Sequence, residues 1–162
     1  MIDRLPPYPE KLGGAPHSKQ SLRLWLRLLS CSMVVEKRIR SRLEDEFGTT
    51  LPRFDLLAAL DRHHDGLTMG ELSSAMMVSN GNVTGVVARL IEDRLVARVP
   101  KPGDRRFATV RLTAKGRQAF AKMARAHEAW IEAMFADLSE ARIDSLMKLL
   151  GTLRRSIESA AG

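Results

Sequence analysis

The sequence predicts a mainly α-helical chain carrying one small β-hairpin, and three observations predict it. Apolar residues recur at helical spacing over most of the 162 residues. The period changes at Leu95, where residues 95–99 and 107–112 become β-branched and alternating. Between those runs lies Pro100-Lys101-Pro102-Gly103-Asp104-Arg105-Arg106, a turn-forming stretch that reads as a long hairpin tip.

The elements follow in chain order. Residues 1–17 hold Pro6, Pro7, Pro9, Pro16 and Gly13-Gly14 and read as an extended arm whose charges cancel. Residues 18–46 read as one long helix. Leu22, Leu26, Leu29 and Met33 make one stripe; Val35, Ile39, Leu43 and Phe47 make a second, offset one, so the two ends are expected to meet different surfaces. Gly48 closes this helix. Pro52 opens the next, where its missing N–H costs nothing, and Phe54, Leu57 and Leu60 form the buried side. Asp65-Gly66 ends it. Thr68 and Glu71 make a capping box for a short helix to about Met76. Ser79 can cap the following helix, whose inner face is Val83, Val87, Leu90 and Ile91. In the hairpin, Val110 and Leu112 fall on one face and Arg111 on the other. Thr113 caps a long helix with Phe120, Met123, His127, Trp130 and Met134 on one side. Ser139 caps the last helix, where Ile143, Leu146, Leu150, Leu153 and Ile157 follow the spacing of a coiled-coil seam about two heptads long. That seam can pack on its own chain or on a second copy. An apolar terminal helix in so small a chain favours the second copy, and these five residues are the expected dimer interface.

Composition narrows the partner. Aromatics make up 5% of the chain, too few for a base-stacking surface that binds single strands or RNA. One cysteine, Cys31, excludes an intramolecular disulfide and fits a reducing cytoplasm. No signal-peptide pattern opens the sequence, and no apolar run approaches the ~18 residues that span a bilayer. A soluble cytoplasmic protein without membrane contact is expected. Residues 80–125 carry eleven Lys or Arg against three acids, a charge of +8, while the other 116 residues sum to −1. A charge so localised suits a duplex polyanion better than general solubility.

Helix, short helix, turn, helix, hairpin is the order of a winged helix-turn-helix. It is expected over residues 51–112, with residues 18–50 and 113–162 forming flanking dimerisation helices. The second helix of the turn opens on Ser79-Asn80-Gly81-Asn82-Val83-Thr84. Asn can take adenine bidentately in a major groove, Ser and Thr can reach base edges or phosphates, and Gly81 allows close approach. Simple helix capping accounts for Ser79 better than for Asn82 and Thr84. Arginine at a wing tip can enter the minor groove. The expected DNA contacts are therefore Ser79, Asn80, Gly81, Asn82, Thr84, Arg89, Lys101, Arg105 and Arg106. Asp104 is expected to hold Arg98 or Arg106 in a fixed pose; a plain turn residue is the other reading.

Residues 78–95 followed by Val96-Ala97-Arg98, Gly103-Asp104-Arg105-Arg106, Val110-Arg111-Leu112-Thr113 and Lys115-Gly116 resemble the MarR family of bacterial transcriptional regulators, over about residues 20–160. The resemblance implies a homodimer joined by its terminal helices and reading a near-palindromic operator. It also implies the helix from Ser79 in the major groove and Arg105 or Arg106 at the minor groove. One position departs. Such proteins usually carry Gly just after the recognition helix, where this chain has Arg94. A non-Gly residue in a left-handed cap costs about 1 kcal/mol, so the helix is open to a different ending.

The resemblance further implies release from DNA by a small molecule, often an aromatic acid, bound by residues of the first, second and fifth helices. Trp25, Leu29, Phe54, Leu57, His127 and Trp130 are the candidates, each also explicable as ordinary core. The Met76–to–Gly85 stretch is similar to members controlling aromatic-acid catabolism, whose effectors can be acyl-CoA thioesters. The implied function is a repressor released by an aromatic or aryl-CoA ligand. The alternatives are a redox-responsive regulator using Cys31 and an architectural protein binding DNA without sequence preference. No P-loop, GxSxG or HExxH pattern is present, so no catalysis and no cofactor are expected. His63 and His64 diverge by about 100° on a helix and make a poor metal pair.

Overall fold

The computed structural model describes residues 16–76, 82–101 and 104–160, with the side chains of all of these except 16–18, 101 and 104–107. Among the described residues six helices and one antiparallel hairpin follow in the order α1 (Pro16–Phe47), α2 (Leu51–Arg62), α3 (Met69–Ala75), α4 (Val83–Glu92), β1 (Val96–Lys101), β2 (Asp104–Leu112), α5 (Ala114–Met134) and α6 (Glu140–Ala160). The chain is a winged helix-turn-helix protein with long flanking helices. It divides into two compact units, Met1–Ala124 and Arg125–Gly162.

Local chemistry sets most boundaries. Gly48 ends α1 at φ 58°, the left-handed conformation glycine adopts without penalty. Pro52 occupies the first turn of α2. The capping box before α3 forms: Glu71 N–H donates to Thr68 Oγ1 at 3.3 Å and Thr68 N–H to Glu71 Oε2 at 2.7 Å. Thr113 Oγ1 accepts from Gly116 N–H at 2.9 Å and so caps α5.

The core of the first unit gathers Leu43, Leu56, Leu57, Leu60, Leu72, Val87, Leu90, Val96 and Val110, all fully buried. It draws on α1, α2, α3, α4 and both strands, which is why the short helices α3 and α4 hold together at all. Phe54 of α2 and Phe120 of α5 close one side, their ring centroids 5.6 Å apart. In the second unit Trp130 is buried, whereas no residue of α6 is.

Two expectations need correction. The helix expected to open at Ser79 begins at Val83, and its cap is Asn82, whose Oδ1 accepts from Gly85 N–H at 3.0 Å. The strands are also longer than residues 95–99 and 107–112, reaching Lys101 and Asp104, so the expected long tip is mostly strand.

Candidate nucleic-acid interface

Helix α4 separates its faces cleanly. Val87 and Leu90 are fully buried, turned toward α2 and α3. Thr84, Ala88 and Arg89 are exposed on the opposite side, with Gly85 among them and half-buried. Small outward side chains let a helix sit deep in a groove, and Arg89 supplies a cation beside them. Gly85 has a second use. A β-carbon there would fall 2.9 Å from Asn82 Nδ2, so its bareness lets the Asn82 side chain fold over the helix end. Asn82 is exposed, and with Oδ1 committed to the cap its Nδ2 amide remains a donor toward solvent. Ser79, Asn80 and Gly81 lie outside the described residues.

The α4 C-terminus settles the question raised by Arg94. Arg94 takes φ 59°, the left-handed value. Its N–H donates to Ile91 O at 2.9 Å and the Leu95 N–H donates to Leu90 O at 2.9 Å. That pair of bonds is a Schellman ending. The turn that glycine would make is therefore kept with arginine in the position, and the alternative ending is not taken. Thr113 Oγ1 then donates to Arg94 O at 2.7 Å, tying the turn to the base of the hairpin.

The wing pairs Val96↔Leu112 through Pro100↔Ala108, then shifts so that Lys101 faces Asp104. The three residues 105–107 are left unmatched between those pairs, as a bulge in β2. Arg105 and Arg106 thus sit where the strand departs from its ladder, the place where a bulge can re-aim what it carries. Lys101 and Asp104 pair across the strands at the backbone; the side chains of Lys101, Asp104, Arg105 and Arg106, and the expected hold of Asp104 on an arginine, lie outside the described residues. Arg98 is exposed.

The wing's root is fastened. Leu67 and Val110 exchange backbone bonds of 3.1 and 2.8 Å. Arg111 Nε donates to Asp65 O at 2.7 Å across the tight turn at Gly66, φ 82°. A β-carbon on Gly66 would lie 2.6 Å from Val110 O, so the turn requires glycine.

The basic window therefore divides by role. Arg111 donates to Asp65 O, Lys115 Nζ to Asp93 O at 2.9 Å and Arg117 Nη1 to Leu112 O at 3.0 Å, so these three fasten the fold. Arg89, Arg94 and Arg98 are exposed around α4 and β1. Counting charges along the sequence could not make that division, because the acceptors are backbone carbonyls, two of them distant in the chain. The Arg53–Asp93 ion pair, joining α2 to the end of α4, also escaped it.

The remaining candidates fall as follows. Trp25 and Leu29 are exposed on α1, 56% and 39%, while Phe54 and Leu57 are buried in α2. His127 and Trp130 meet edge-on in α5 with centroids 6.5 Å apart, and burial holds the His127 pKa below the ordinary histidine value. In α6, Leu146, Leu150 and Ile157 are exposed, with Ile143 and Leu153 half-buried. Cys31 is exposed. Among the described residues no group of His, Cys, Asp and Glu could hold a metal ion, and no helix is long and apolar enough to cross a membrane.

Comparison with known proteins agrees with this architecture. The MarR family model matches residues 47–106. The transcriptional activatory protein BadR of Rhodopseudomonas palustris is 32% identical over 147 residues, 86% of this chain and 83% of its own length. The HTH-type transcriptional repressor IacR of Pseudomonas putida is 27% identical over 118 residues, 73% of this chain and 70% of its own. Among solved structures, a MarR family transcriptional regulator from Silicibacter pomeroyi superposes with TM-score 0.75 at 33% identity, covering 91% of this chain and 99% of that one. The chain belongs to the MarR family: it is a DNA-binding transcriptional regulator and not an enzyme.

Proposed function

We propose that this regulator acts in the cytoplasm as a homodimer, reads a near-palindromic operator through α4 and the wing, represses from it, and is released by an aromatic acid or its CoA thioester. The observation that carries the dimer is the apolar surface left open by single helices. On α6, Leu146, Met147, Leu149, Leu150 and Ile157 are 46–67% exposed. On α1, Leu22, Trp25, Leu29 and Met33 recur along one exposed stripe. Unpartnered apolar faces of this extent are the mark of an interface. Two-fold symmetry in the protein then calls for two-fold symmetry in the site, with half-sites about one helical turn apart.

Sequence preference is supported by Asn82 and Thr84 at the exposed start of α4. The choice of ligand class is supported by side-chain chemistry: Trp25, Leu29, Phe54, Leu57 and Trp130 are apolar, and His127 adds one titratable group.

Sedimentation tests the dimer. The wild-type chain should sediment as a dimer, and Leu146→Glu with Leu150→Glu should give a folded monomer with at least tenfold weaker binding to the duplex that the wild type selects from a randomised library. A doubly substituted chain that remains dimeric contradicts the interface. Titrating aromatic acids and their CoA thioesters against the same complex tests release, and a complex that survives all of them contradicts the ligand class.

A further inference from the structure

Asp93 is the junction at which the end of α4 is held. Its carboxylate Oδ2 accepts from Arg53 Nη2, out of the first turn of α2. Its backbone carbonyl accepts from Lys115 Nζ at 2.9 Å, out of the first turn of α5. Arg53 is mostly buried, Asp93 half-exposed. The Arg53 Nε is buried without a hydrogen-bond partner among the described residues. Nε is therefore desolvated while Nη2, on the same edge of the guanidinium, is spent on Asp93. Exposed or half-exposed ion pairs contribute little to stability, so an arginine so placed is better explained by the geometry it imposes than by the stability it adds.

That geometry has leverage. The ten residues of α4 span about 15 Å, so a tilt of about 10° at Asp93 moves the opposite end by roughly 2.6 Å, close to the length of a hydrogen bond. The buried side chains Val87 and Leu90 fix how deep α4 sits, but apolar contacts are non-directional and tolerate a small tilt. Arg53 lies only five residues beyond Gly48, where α1 ends. Given that α4 is the helix that reads the duplex, as proposed above, we infer that Arg53 and Asp93 are positioning residues. Their ion pair sets the angle of the recognition helix and couples it to the α1–α2 corner.

The test uses the full chain and two probes: the duplex selected by the wild type from a randomised library, and a random duplex of equal length. Arg53→Gln and Asp93→Asn should each lower the ratio of the two affinities roughly tenfold or more, with helicity and melting midpoint unchanged. The exchange Arg53→Asp with Asp93→Arg preserves net charge and should restore the ratio to within about threefold of wild type. A ratio unchanged in both single variants overturns the inference. So does a ratio that falls only in step with the melting midpoint, which assigns the pair to stability alone. A wild-type chain that selects no duplex overturns the reading of α4 itself, so the two failures are distinguishable.

Discussion

The first turn of α5 passes so close to the root of the wing that a β-carbon on Gly116 would lie 1.9 Å from the carbonyl oxygen of Leu95. The same oxygen accepts from Thr113 N–H at 3.0 Å and, at 3.1 Å, shares the Thr113 hydroxyl proton with Arg94 O. Strand and helix are thus fused at one peptide group, and the wing's direction is set by where α5 begins.

Gly116→Ala should accordingly destabilise the chain. In an open helix the change stabilises by about 1 kcal/mol. Here the neighbour is backbone and cannot step aside as a flexible side chain would, so overpacking dominates and the loss should be about 2 kcal/mol. Denaturant unfolding measures it; a gain in stability would mean the two elements separate freely.

Arg94→Gly should have the opposite sign. The left-handed conformation of Arg94 costs a non-Gly residue about 1 kcal/mol, and glycine returns part of that as unfolded-state entropy. A net gain of about 0.5–1 kcal/mol is expected by the same measurement. A loss would show that the arginine side chain holds the turn.

Asn82 can be separated into cap and reader. Asn82→Ala should cost about 1 kcal/mol of stability, whereas Asn82→Ser keeps a capping oxygen and should stay within about 0.5 kcal/mol of wild type. Both should relax the preference for the selected duplex over random DNA. A serine variant with undiminished preference leaves Asn82 a cap alone.

His127 makes stability depend on pH. Burial lowers its folded-state pKa, so between the folded and the ordinary value the unfolded chain holds a proton that the folded chain does not. Its contribution is complete above the ordinary histidine value and is lost as pH falls through the folded one. Melting midpoints from about pH 7.5 to 5.5 should fall less in His127→Gln than in wild type. Parallel curves would show that His127 takes up its proton without cost.

Much of the fold was legible because its signals are local. Thr68 with Glu71, Pro52, Gly48 and Thr113 each act within a few residues of themselves, and the change of period at Leu95 marks the wing. The start of α4 was not legible, since Ser79, Asn80, Asn82 and Thr84 can all cap and their order does not choose among them. Nor was its end: the neighbours of Arg94 supply Schellman bonds that hold an arginine in a glycine conformation. The cations were countable but not sortable, because Asp65, Asp93 and Leu112 offer backbone oxygens that no side-chain pattern records. Arg53 and Asp93 lie forty positions apart, beyond any helical or strand period.

The proposed function requires two copies of one chain to engage both grooves of a duplex. Methylation interference on the selected duplex tests it most directly, since it reports guanine N7 in the major groove and adenine N3 in the minor groove together. Two blocks of major-groove interference about 10 bp apart, each flanked by minor-groove interference that disappears in Arg105→Ala with Arg106→Ala, are the predicted result. A single block, or minor-groove interference untouched by losing both arginines, would contradict it.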